Sequence, residues 1–136
     1  MGSLIDGAAR QIGQVAVLSL ASLLLACDQD PFGLSCRRIA GNYCLRQWED
    51  GETYYIETLS GREVANGTVK AIDWNAQHIL VLRQPHALSD GQGYILIDVR
   101  SGSEQGPVQA VSSFRNRDVS AMNAIDPKAA WDKLGG

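Results

Sequence analysis

The side chains of this sequence that could do chemistry are few and scattered. His86 and Asp90 stand four apart in the polar stretch from Gln84 to Gln92. That spacing would let both reach one metal ion or one partner. Two ligands fall short of a metal centre, because structural zinc takes four and catalytic zinc three plus water. His86 and Asp90 are therefore read as candidate partner contacts, and no metal is assigned. Glu57, Asp73 and Asp98 fall on or beside strand-forming runs. A carboxylate pair at the right separation can hydrolyse a glycosidic bond. Nothing in the spacing makes these three converge, and carboxylates near strand ends usually form turns or face water. The chain has no HExxH, GxSxG, P-loop or GxGxxG pattern, and these are the spacings that metal, nucleophile and phosphate chemistry would need. No catalytic residue and no cofactor is assigned. Trp48, Tyr54, Tyr55, Trp74 and Tyr94 could stack on a sugar or a partner, but aromatics are also favoured strand residues. Packing within the fold is expected for most of them.

The third kind of reactive side chain is cysteine, and its context is informative. Val15 to Ala26 reads VAVLSLASLLLA, an apolar run of 12 residues. A helix needs about 20 residues to span a bilayer, so this length suits the apolar core of a signal peptide. Leu24-Leu25-Ala26-Cys27 follows at its end and resembles the lipobox of bacterial lipoproteins. That resemblance implies cleavage before Cys27 and lipidation of its thiol. The alternative is a buried helix that happens to end in a cysteine. Asp28 comes next. In enteric bacteria an aspartate there resembles an inner-membrane retention signal, so the inner membrane is slightly favoured. The expected organisation is a signal peptide over residues 1–26, a lipidated cysteine and short tether over 27–35, and one domain over 36–136. The eight residues from Asp28 to Ser35 reach at most about 28 Å when fully extended. The domain should sit close to a membrane and face the periplasm or the exterior.

Removing Cys27 leaves Cys36 and Cys44 as an even pair. Outside the cytoplasm such a pair is most simply a disulfide; the alternative is two separate thiols, one of them buried. Closing the nine-residue loop would contribute about 2.5 kcal/mol by the chain-entropy model, which matters for a domain this small. Net charge is −3, and the longest basic run is the pair Arg37-Arg38. Nucleic acid is excluded as a partner, because phosphate binding needs clustered Lys and Arg.

The elements that must position these residues are short strands. Breakers at Asp50-Gly51, Ser60-Gly61, Asn66-Gly67, Asp90-Gly91, Ser101-Gly102 and Gly106-Pro107 divide the chain. Between them, Asn42 to Trp48, Thr53 to Thr58, Thr68 to Trp74, His78 to Arg83 and Gly93 to Val99 read as strands, with Val108 to Phe114 as a sixth candidate. Asp50-Gly51 is a hairpin signal. His78–Leu82 and Tyr94–Val99 are apolar on both faces, so both faces must be covered. Asp126 as N-cap and Pro127 at the first helical position start a helix over Lys128 to Leu134. Ala130, Trp131 and Leu134 share one of its faces, and this helix is the expected cover. The fold class is mainly β: an antiparallel meander of five or six strands with a short C-terminal helix packed on it. The alternative is a small closed β-barrel. Val119, Met122 and Ile125 recur every three residues, consistent with a helical turn or an extended segment.

With these elements in place, the chain resembles a family of small bacterial lipoproteins of uncharacterised function. The resemblance rests on Asp30 to Leu34 after the lipobox, Ile39 to Leu45 opening the first strand and Trp74-Asn75 before Ile79 to Val81. Gly93 to Val99 and Asp126-Pro127 with Ala130-Trp131 complete it. It implies location and fold, and no activity. The periplasmic lysozyme inhibitors are similar in being small, β-rich, lipid-anchored and disulfide-stapled. Ser60-Gly61-Arg62-Glu63-Val64 begins like their Ser-Gly-x-x-Tyr loop and departs at its end. The expected function is thus a non-enzymatic, membrane-anchored binding or structural module of the cell envelope. Its partners would be the bilayer, through Cys27, and another envelope protein. The alternative is an inhibitor of a periplasmic hydrolase. Cys27→Ser is expected to abolish incorporation of labelled palmitate and retention in the membrane fraction; a variant that still takes up label would contradict the lipobox.

Overall fold

The structure is a computed structural model that describes residues 36–136. The expected signal peptide and tether, with Cys27 and Asp28, lie outside the described residues. Eight strands form two antiparallel sheets, each following chain order. The first contains β1 (Cys36–Ala40), β2 (Tyr43–Gln47), β3 (Tyr54–Thr58) and β4 (Glu63–Val64). The second contains β5 (Gly67–Trp74), β6 (His78–Pro85), β7 (Gly93–Asp98) and β8 (Glu104–Val108). The sheets do not close into a barrel, so the meander reading holds with its strands split between two layers.

Local chemistry explains the hairpins. Between β2 and β3, Asp50 accepts hydrogen bonds from the backbone N–H groups of Glu52 and Thr53, at 2.9 and 2.8 Å. The side chain thus stands in for backbone acceptors in the turn. Asn75 does the same for Gln77 and His78 between β5 and β6. Asp98 does so for Arg100 and Ser101 after β7.

Alternation along the strands builds the core. On β3, Tyr54, Ile56 and Thr58 are buried, while Tyr55 and Glu57 point the other way. Leu45, Ile56, Ile72, Ile79, Val81, Ile95 and Ile97 form the apolar layer between the sheets. A bulge between Val69 and Ala71 resets the alternation in β5, so Val69 and Ile72 both reach this layer.

The second faces of β6 and β7 are covered by a different segment from the one expected. Leu80 and Leu96 pack with Val119, Val111, Phe114 and Met122 in a cluster of their own. The cover is the segment from Val111 to Met122, a 3₁₀ turn at Val111–Phe114 followed by α1 (Arg117–Ser120). This corrects the sixth-strand expectation and decides between the two readings of the three-residue repeat. Val108 to Phe114 is not a sixth strand: β8 ends at Val108, and the next apolar residues, Val111 and Phe114, repeat every three positions, as a helical turn requires. The repeat of Val119, Met122 and Ile125 also divides. Val119 and Met122 cover the second face, whereas Ile125 joins the edge of β5 through paired backbone hydrogen bonds with Ile72 of 2.8 and 2.9 Å.

The C-terminal helix, α2 (Pro127–Gly135), has a different task. The Asp126 carboxylate caps it by accepting from the N–H groups of Lys128 and Ala129. It lies against β1 and β5, the edge strands of the two sheets, and delivers Ala130 and Trp131 into the layer between them. Trp131 is 6% exposed. Its ring meets Tyr54 in a tilted contact at 5.9 Å, and the Arg37 guanidinium stacks over it at 4.1 Å. Arg37 also donates to the Trp131 carbonyl at 2.6 Å. The helix therefore closes one side of the sandwich instead of covering an outer face. Cys36 and Cys44 lie at disulfide distance, with Cα atoms 5.6 Å apart, inside the range a bridge allows. They staple β1, and with it Arg37, to β2. Truncating a buried Trp costs about 3–5 kcal/mol, a large share of a small domain's stability. Trp131→Ala should lose that much in urea denaturation; a loss below about 0.5 kcal/mol, as for a surface position, would mean that the helix is not part of the fold's closure.

Candidate functional site

The face of the first sheet that points away from the core carries the chemistry. Alternation on β3 turns Tyr55 and Glu57 outward, and the short β4 sets Glu63 directly opposite Glu57 in register. Residues so paired have Cβ atoms about 4.5–5.5 Å apart, and like charges there repel. Each carboxylate has a counter-group. Arg46 Nε donates to Glu57 Oε2 at 2.8 Å. His86 Nε2 stands 2.5 Å from Glu63 Oε1, and this contact is an ion pair only when the imidazole is protonated.

Trp48, just after β2, is 55% exposed and meets Tyr55 in a tilted contact at 5.7 Å. Burial and then the charge of Glu57 push the Tyr55 phenol above its ordinary range. Asp50 accepts from the Thr53 hydroxyl as well as from the two turn amides. The Thr53 hydroxyl, then these amides, hold its carboxyl below the usual carboxylate range.

These groups line an open cleft of about 570 Å³. Tyr55, Glu57 and Glu63 come from the first sheet with Trp48 just after β2, and Thr68 comes from the second with His86 just after β6. The cleft thus straddles the point where the chain passes from β4 to β5. There Ala65 and Asn66 adopt the left-handed conformation, with φ of 65° and 43°. Gly67 follows, where a Cβ would stand 2.3 Å from the Gln84 carbonyl oxygen. The corner is held from both sides: the Ala65 N–H donates to Glu104 at 2.6 Å, and its carbonyl accepts from Arg83 at 3.2 Å.

The structure separates the residues singled out from sequence. His86 lines the cleft. Asp90 does not: it sits in the 3₁₀ turn Leu88–Asp90, and its carboxylate accepts from Asn66 at 3.2 Å. Of the three strand carboxylates only Glu57 belongs to the site. Asp73 accepts from the N–H groups of Trp74 and Asn123. Asp98 holds its turn, and its carboxyl is lowered first by the Ser101 amide. Both shape the backbone. Among the described residues no group of three or more His, Cys, Asp or Glu is placed to hold a metal ion. Glu63 and Thr68 were not anticipated. A two-residue strand leaves no periodicity to read, and Thr68 joins the site only through the corner. Packing within the fold was the expectation for most of the strand aromatics; Tyr54 follows it, whereas Trp48 and the half-buried Tyr55 turn outward into the cleft. Neither family models, nor curated proteins, nor solved structures match this chain.

Proposed function

We propose that this protein is a lipid-anchored binding module of the bacterial cell envelope and that the cleft around Trp48 and Glu63 is its contact surface. The observation that carries the reading is a half-exposed tryptophan braced against Tyr55 beside two opposed carboxylates. Exposed aromatics set among polar groups are the residue types that dominate binding energy at interfaces. The lipobox at Leu24 to Cys27 supports the anchor, and the short tether supports a position near the membrane.

Binding is favoured over catalysis by how the carboxylates are held. A general acid is usually kept protonated by burial in an apolar pocket. Here Glu57 and Glu63 stand in hydrogen-bonded contact with Arg46 and His86 on an open face. Inhibition of a hydrolase would call for a projecting polar hook. The turn after β3 is exposed but short and closed on itself, with the Thr58 hydroxyl accepting from the Arg62 N–H and bonding to the Ser60 hydroxyl.

The test is capture from the native envelope by the lipidated protein, with Trp48→Ala as the comparison. Trp48 lies on the surface, so this variant should keep the fold while losing its partner. Truncating an interface hot spot costs about 2 kcal/mol or more, and a drop in recovery of one specific partner is expected. An identical set of captured proteins from both would contradict a contact surface at this cleft.

A further inference from the structure

Resting on the reading of this cleft as a contact surface, we infer that its ligand is an arginine side chain presented by a peptide segment of a partner protein. The argument is one of charge complementarity in a shaped site. Three carboxylates line the cleft, those of Asp50, Glu57 and Glu63. Among the described residues the permanent cation ion-paired with them is Arg46. His86 is a counter-charge only in its protonated form. The cross-strand pair Glu57–Glu63 is therefore under-compensated, and a cation entering between them relieves a repulsion built into the register of β3 and β4.

Each of the two carboxylates also has capacity left. Arg46 engages Oε2 of Glu57 and His86 engages Oε1 of Glu63, while an ionised carboxylate offers about four lone-pair sites. Asp50 contributes charge only, since both its oxygens already accept bonds within its own turn. The aromatic wall points the same way. Trp48 is half-exposed, and an indole face attracts a cation through its quadrupole.

Between the two common cationic side chains, arginine fits better. Its planar fork bonds carboxylates in pairs and stacks flat on an aromatic ring, whereas lysine is a point charge. This protein already makes both interactions internally. Arg46 bonds Glu57, and Arg37 stacks on Trp131 while donating to its carbonyl. An anionic ligand is disfavoured by every carboxylate of the cleft.

The experiment is titration of the isotope-labelled full chain, in a neutral polyoxyethylene detergent, with acetylated tri-arginine amide. The tri-citrulline isostere, which keeps the shape and loses the charge, and chitotriose serve as comparisons. The expected result is saturable shifts of the Trp48 indole N–H and the Glu57 and Glu63 amides with tri-arginine. Loss of a charge-assisted contact should weaken binding about tenfold or more for tri-citrulline and for Glu63→Gln, and added salt should weaken the tri-arginine complex. Trp48→Ala should weaken tri-arginine binding as well. Equal binding of tri-citrulline, indifference to Glu63→Gln or preferential binding of chitotriose would overturn the arginine assignment while leaving the cleft as a binding surface. Shifts confined to residues away from the cleft, or none with any probe, would overturn the assignment and the cleft reading together.

Discussion

The buried guanidinium of Arg83 holds the point on which the two halves of this fold turn. The chain leaves the first sheet at Val64 and enters the second at Gly67, with two left-handed residues between. Neither is glycine, and conformations of this kind cost about 1–3 kcal/mol each when the surroundings do not enforce them. Here the surroundings do. Arg83 is 6% exposed. It donates to the carbonyl of Ala65 on one side and to those of Asp90 and Gly91 on the other, at 3.2, 2.9 and 2.7 Å. Its Nε has no hydrogen-bond partner among the described residues. Burying a charge in this way is expensive. What the fold gains is geometric: one side chain fixes the corner that sets Glu63 beside Thr68, and also the end of the loop that carries His86. Both walls of the cleft are thereby referred to a single group.

The rest of the sandwich follows from having two sheets to join. Burial of the facing apolar sides supplies the main driving force, but two four-stranded layers leave open edges. Closure is shared among unlike elements. Helix α2 bridges the edge strands β1 and β5, fastened by Trp131 and Arg37. Glu104 of β8 reaches the corner at Ala65. The pair Cys36–Cys44 holds β1 to β2, so the strand stapled to β2 is also the one that receives the helix. The exposed edge strand β8 carries Pro107 and a charged residue, features that discourage pairing with another chain.

Much of this architecture was legible in the sequence where local chemistry decides it. Asp50-Gly51 marked a hairpin, alternation from Tyr54 to Thr58 marked a strand with one wet face, and Asp126-Pro127 marked the start of a helix. Legibility failed where a strand is too short or too polar to carry a pattern. Glu63–Val64 is two residues long, Glu104–Val108 reads as a loop because of Gly106-Pro107, and β1 is interrupted by an irregularity between Arg38 and Ala40. The doubly apolar strands correctly announced a covered second face, but Val111, Phe114 and Val119 are split between a 3₁₀ turn and a separate four-residue helix, and nothing local assigns them to Leu80 and Leu96. The site divides in the same way. Glu57 and Tyr55 follow from alternation, His86 from its place in a polar loop. Their meeting with Glu63 and Thr68 depends on the corner at Ala65, which is a tertiary fact.

If Arg83 sets the corner, its removal must act locally before it acts globally. The direct measurement is amide hydrogen exchange of Arg83→Met, which keeps much of the side chain's bulk and removes its charge and donors. The account predicts lost protection at Ala65, along Gly67–Val69 and at Asp90, with Ile79, Ile97 and Ala130 retaining theirs. A uniform loss that includes Ile97 and Ala130, or no loss at Ala65, would contradict it.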